Sequence, residues 1–317
     1  MGDYIVNLMK NPLAYISTCL LVASTSAHAV ILYGADNDTN LTDPGSGLPF
    51  DIVARVASGA GVEDGGSGVH LGGGFMLTAA HINNAELNSV TFDDSTFFTR
   101  DTSYTPQQIG NTDLKVFKLT SSPTVGAAQL YTGAAETSNG ASLVGWGRGR
   151  EEGSALNSNT VPIAGGGTSL VKRWGTNDPT RTVNNFSYTR GSDTFTFDAV
   201  ETVLGNPLGG GTGDFEAAAT PRDSGAGLFQ LIDGTWYLTG IASLILSQDQ
   251  GNVTYGNDTQ WFGDDASSLS RVPGTGDPNY YVQISSYESD IAAIIPEPSS
   301  AILILTSSLL LFRRRRS

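Results

Sequence analysis

A histidine, an aspartate and a serine occur in this chain in settings from which an acyl-transfer site could be assembled: His81, Asp113 and Ser224, in that order. Breaking an amide needs an activated nucleophile, a base to take its proton, a group to orient that base, and donors for the developing oxyanion. His81 closes the segment GFMLTAAHI (residues 74–82), where an apolar strand delivers an imidazole after two alanines small enough to let backbone pass close by. Asp113 lies in NTDLKVFKL (residues 111–119), ahead of a strand whose apolar residues Leu114, Val116, Phe117 and Leu119 surround two lysines. Ser224 lies in PRDSGAGLF (residues 221–229), just before an apolar hairpin. Singly, each is ordinary: a strand-end histidine is often structural, an aspartate there is often a turn residue, and DSG occurs in many turns. Asp94 and Asp101 compete with Asp113 for the orienting role, whereas His70 lacks such surroundings and reads as a surface or core residue.

Together the segments carry a resemblance. LTAAH resembles the histidine motif of trypsin-like (chymotrypsin-fold) serine proteases, NTDLKVFKL their aspartate strand, and PRDSGAGLF their GDSGGP nucleophile motif. WYLTGIASLI (residues 236–245) resembles the family's VGIxSWG strand along the primary specificity pocket. GWG at 145–147 and a terminal YxxVxxYxxWI-like stretch extend the likeness, in patches, from about residue 50 to 293. The resemblance implies two antiparallel β-barrels, a catalytic triad of His81, Asp113 and Ser224, and no cofactor or metal. It further implies that the backbone amides of Arg222 and Ser224 form the oxyanion hole. Ala218, Ser243 and Leu244 would border the specificity pocket, and Asp223 would anchor the nucleophile loop from beneath.

The chain also departs from that pattern. Arg222 stands where the family has glycine, Ala226 replaces the second glycine and Gly227 the proline. The glycine position commonly needs a backbone angle that costs another L-residue about 1–2 kcal/mol, whereas losing an oxyanion donor raises the barrier by about 2.7–4 kcal/mol. The hole is either enforced by packing or collapsed at rest. Ala218 stands six residues before Ser224, where trypsin carries its pocket acid, so the expected preference is for small or medium apolar side chains on the acyl side of the cut bond. Relatives made as zymogens bury a new amino terminus against the aspartate before the serine. Here Val30 could supply one after leader removal, or Arg222 or another basic group could pair with Asp223.

The elements that must position these residues read as strands: 52–56, 68–71, 75–78, 114–119, 142–145, 195–199, 227–232 and 236–244, with Asp233-Gly234 turning the last pair. Tyr281, Ile284, Tyr287, Glu288 and Ile291 have the spacing of a one-sided helix. Ser121 to Gly126 is the candidate linker between two halves. The expected fold is therefore all-β with a short C-terminal helix, an N-terminal barrel over about 45–122 and a C-terminal barrel over about 127–293, within a peptidase domain at 30–293.

The two ends read as addresses. Residues 13–24 are apolar but too short to span a bilayer, and Ala27, His28 and Ala29 end them with small residues where signal peptidase reads, so a leader over 1–29 is expected, starting at Met1 or Met9. At the other end Pro296, Glu297 and Pro298 precede an apolar run and Arg313 to Arg316. This order resembles the PEP-CTERM sorting signal of Gram-negative bacteria, which implies an exosortase-type processing enzyme and a membrane contact through residues 296–317 only. The lone cysteine, Cys19, falls in the leader, so the mature chain should hold no disulfide.

The chain's net charge is −14, and without Asp3, Lys10, Glu297 and Arg313 to Arg316 it becomes 12 basic against 29 acidic residues, or −17. Phosphate backbones are repelled, which excludes nucleic acid as a partner. The run Asp36, Asp38, Asn40 begins like a calcium loop, but Leu41 and Gly47 replace its turn glycine and bidentate glutamate. Three functions fit: an envelope or secreted serine endopeptidase cutting protein or peptide; a catalytically impaired trypsin-fold binding module, signalled by Arg222 and Ala226; or a structural component of an exopolysaccharide layer.

Overall fold

A computed structural model describes residues 30–32, 39–59, 65–133, 137, 139–147, 170–203, 215–220, 222–249, 252–255 and 278–295. The expected leader, Asp36 and Asp38, and the expected sorting tail lie outside these residues. Among the described residues no helix is long and apolar enough to cross a membrane.

Among the described residues the chain is mostly β, as the sequence predicts, with two large antiparallel sheets, a two-stranded pair and one short α-helix. A short strand β1 (Ile31–Leu32) comes first. Seven strands then make the first sheet: β2 (Val53–Ala57), β3 (Gly66–Gly72), β4 (Phe75–Thr78), β5 (Ser89–Thr91), β6 (Phe97–Thr99), β7 (Gln107–Gln108) and β8 (Lys115–Lys118), ordered β6-β5-β2-β3-β4-β8-β7. The sheet rolls onto itself, because Arg100 bridges Leu119 and Thr120 N donates to Thr99 O at 2.9 Å.

The second sheet draws on β9 (Ala141–Gly145), β10 (Arg173–Asn177), β11 (Pro179–Arg190), β12 (Asp193–Val203), β14 (Gly227–Ile232), β15 (Thr235–Asp249), β16 (Asn252–Tyr255) and β17 (Pro278–Gln283). It runs β10-β9-β14-β15-β17-β12-β11, with β16 paired to β15, while β13 (Ala217–Ala218) pairs with β1. One apolar cluster joins the sheets, with Val53, Val69, Leu77 and Val116 packed among Val144, Phe229, Ile241 and Val282. All eight are buried. Each contributes about 1.5–3 kcal/mol of transfer free energy, which holds the seam where the functional side chains meet.

The end of the chain corrects one expectation. Tyr281 belongs to β17, a 3-10 turn covers Ile284–Ser286, and the helix α1 is confined to Glu288–Ile294. Residues 279–282 pair with β12 on one side and β15 on the other. Two ladders of backbone hydrogen bonds outweigh a helical spacing that ran by coincidence through the strand.

Candidate active site

The register of β4 against β8 explains the first contact. Thr78 opposes Lys115, so His81, three residues beyond one strand, and Asp113, two before the other, fall side by side. Buried Ala79 and Ala80 permit this approach. Ala80 N donates to Asp113 O at 3.2 Å and His81 N to Asp113 Oδ1 at 2.8 Å.

Asp113 is fully buried and its Oδ2 gathers three side-chain donors: His81 Nδ1 at 2.7 Å, Tyr188 Oη at 2.7 Å and Ser243 Oγ at 2.5 Å. Burial alone would raise its pKa. The charge of His81 and the hydrogen bonds from His81, Ser243 and Tyr188 outweigh that, holding the carboxyl below its ordinary value. With Nδ1 donating to a carboxylate, Nε2 of neutral His81 is the acceptor. It lies 2.8 Å from Ser224 Oγ. The three expected triad residues are thus brought together in one unbroken chain of hydrogen bonds.

The competing residues are elsewhere. Asp94 pairs with Arg55, and Asp101 accepts from Ser103 within its own turn at 2.9 Å and 2.6 Å. His70 is buried with Nδ1 2.7 Å from Gly126 O.

The loop that carries Ser224 is held from both sheets. Ser67 N donates to Ser224 O at 2.7 Å and Gly225 N to Ala242 O at 2.8 Å. Gly225 has φ +86°, and a Cβ there would lie 2.0 Å from Ser67 O, so only glycine fits the turn. Arg222 has φ +81°, the left-handed conformation that glycine adopts freely. Among the described residues neither its amide nor that of Ser224 donates to a backbone acceptor.

Beneath the loop, Asp223 is fully buried. Its Oδ1 accepts from Gly147 N at 2.7 Å, and its Oδ2 accepts from Thr220 N at 2.8 Å, Thr220 Oγ1 at 3.0 Å and Val30 N at 3.3 Å. Burial pushes its pKa up to about 6 against these donors. Of the groups that could pair with Asp223, the structure brings Val30 to it.

A cavity of about 570 Å³ opens beside the triad, lined on its inner side by Ala219, Thr220, Leu244, Asn279 and Tyr281. Leu244 and Ser243 both border it, and the Ser243 hydroxyl is committed to Asp113. Ala218 does not line it: the residue is fully buried where β13 pairs with β1, opposite Ile31, and Ala219 and Thr220 form the wall.

Sequence reasoning missed Tyr188 and Asn279. Tyr188 comes from β11, a strand rich in Thr and Asn with no motif, and its one signal is aromatic pairing: Tyr188 opposes Phe195 and Phe186 opposes Phe197 on β12. Asn279 has no signal beyond standing next to a proline.

No family model and no curated protein matches the chain. Among solved structures it is similar to neuropsin, a serine protease expressed in the limbic system of mouse brain, at 16% identity and TM-score 0.46, over 80% of this chain and 97% of that one. It is likewise similar to an inactive form of Rv3671c from M. tuberculosis H37Rv, at 12% identity and TM-score 0.46, over 84% of this chain and 98% of that one. What the site can do follows from its own atoms.

Proposed function

We propose that the chain is a serine endopeptidase that cuts protein or peptide through an acyl-enzyme. The observation that carries this reading is the relay from Asp113 to His81 at 2.7 Å and from His81 to Ser224 at 2.8 Å, opening on a cavity. Ser224 Oγ attacks the carbonyl carbon as its proton passes to His81 Nε2, and Asp113 stabilises the imidazolium. The amides of Arg222 and Ser224 receive the oxyanion. Collapse of the tetrahedral intermediate expels the amine, which takes the proton from His81, and water then releases the acid by the same route in reverse.

The sequence supports export: a leader at 1–29 removed by signal peptidase, and a PEP-CTERM-like tail at 296–317 processed by an exosortase-type enzyme. The acidic chain would work in the periplasm, outer envelope or extracellular matrix, tethered at first by its C-terminus. A fluorophosphonate probe tests the chemistry. Wild type is expected to label and Ser224→Ala to remain blank; absence of labelling in wild type, or labelling that survives the substitution, overturns the reading.

A further inference from the structure

We infer that Asn279 selects the substrate side chain on the acyl side of the cut bond, favouring an uncharged carboxamide, that of glutamine or asparagine. The inference rests on the hydrolase reading above and deepens it.

Asn279 is only 1% exposed, yet among the described residues neither its Oδ1 nor its Nδ2 has a hydrogen-bond partner. It lines the same cavity as His81 and Ser224. Its backbone is fixed between Thr202 of β12 and Ile245 of β15, so the side chain is carried on a central strand and not on a loop that could swing it to water. A carboxamide buried without partners loses its hydration and gains nothing in return. Such a group is retained where a ligand completes it.

Of the described residues lining the cavity, which also include Asn83, Glu86, Arg190, Arg222 and Tyr280, Asn279 alone has buried side-chain polar atoms without a partner. The hydroxyl of Ser243 is committed to Asp113 and that of Thr220 to Asp223. Ala219, Ala242 and Leu244 present only carbon, and Tyr281 is buried among apolar residues. Sequence reasoning expects an apolar preference from Ala218, which lies outside the cavity; the unpartnered amide of Asn279 changes that expectation.

The donor and acceptor on Asn279 decide among the polar classes. A lysine side chain would satisfy Oδ1 and leave Nδ2 facing a cation. A carboxylate would satisfy Nδ2 and leave Oδ1 facing an anion. An aliphatic side chain would seal both in unpaired. A second carboxamide carries donor and acceptor on one carbon, as Asn279 does, and pairs with both at once.

The experiment uses the full chain and fluorogenic peptides identical except at this residue, which is Gln, Asn, Leu, Ala, Glu or Lys. Peptides with Gln or Asn are expected to show a kcat/KM about 10- to 100-fold above the Leu peptide, the margin expected when a buried donor or acceptor is left unsatisfied. Asn279→Leu is expected to reverse that order and to melt at a higher temperature, because it removes an orphaned polar group. A wild-type protein that labels with fluorophosphonate yet cuts after Leu at least as fast as after Gln overturns the assignment of Asn279 and leaves the hydrolase reading standing. A protein that neither labels nor cuts any peptide overturns both.

Discussion

In the proposed reaction Tyr188 would act through Asp113, as a positioning residue. Its hydroxyl donates to Oδ2, and burial together with the neighbouring carboxylate pushes its own pKa up, so it stays a donor throughout the working range. Tyr188→Phe keeps the ring against Phe195 and removes the donor. A hydrogen bond to a charged group is worth about 1.5–3 kcal/mol, so kcat/KM should fall about tenfold or more. The carboxylate, less stabilised, would hold its proton and the imidazolium more tightly, and the acid limb of kcat/KM against pH should move to higher pH; an unmoved limb would mark the hydroxyl as merely structural. Arg222 poses a separate question at the same scale. Its φ of +81° means that the loop already has the glycine-type conformation. Arg222→Gly should relieve about 1–2 kcal/mol of strain and return roughly 0.5–1 kcal/mol to the unfolded chain's freedom, a small net gain measurable by urea unfolding. A formed hole predicts that kcat rises by much less than the roughly hundred- to thousandfold worth of one oxyanion donor; a rise of that full size would mean that the resting hole is collapsed.

The elements differ in how legible they are. β4 and β14 fall at 75–78 and 227–232, as the sequence predicts, because Gly72 to Gly74 bound one and Asp233-Gly234 the other, and both carry compact apolar runs. β10 and β11 escaped notice because β10 buries Arg173, Gly175 and Asn177 rather than apolar residues, and β11 turns a face of Thr, Asn and Arg to water. That face gives no apolar alternation to read. The order His81, Asp113, Ser224 was visible in the chain, but their convergence depends on strand register, and among the described residues the β11–β12 hairpin that supplies Tyr188 has one backbone hydrogen bond to the Asp113 loop, Thr196 N to Asn111 O at 3.0 Å, beside the bond from Tyr188 to Asp113 itself. The GWG segment after β9 shows the reverse case, a motif visible early whose reason appears only in three dimensions. A Cβ on Gly147 would lie 2.5 Å from the Asp223 carboxyl carbon and 2.6 Å from each of its oxygens. Gly147→Ala should therefore displace Asp223, destabilise the chain by about 1–3 kcal/mol and lower fluorophosphonate labelling, read by thermal melting and probe kinetics together.

For the molecule as a whole, the decisive electrostatic feature is a fully buried carboxyl, Asp223, that no cationic side chain among the described residues pairs with. Asp223 sits at about 6 against an ordinary 3.8, raised chiefly by burial. A group that holds its proton more tightly when folded contributes stability at low pH, and that contribution is lost as pH rises through the window from about 4 to about 6. Val30 is positioned to change this: it is fully buried and its nitrogen lies 3.3 Å from Asp223 Oδ2. A chain that begins at Val30 carries an ammonium at that nitrogen, where a longer chain carries a neutral amide. The ammonium should stabilise the carboxylate, draw its pKa down and turn the loss between pH 4 and 6 into a gain, which fades again above about pH 8 as the amine loses its proton. Two proteins, one starting at Val30 and one retaining the residues before it, should therefore give melting temperatures that diverge as pH is raised from 4 to 7, with the Val30 form the more stable and the faster to label at Ser224. Coincident melting curves and equal labelling would show that the nucleophile loop forms without a charged amino terminus, and would remove leader cleavage as its activating step.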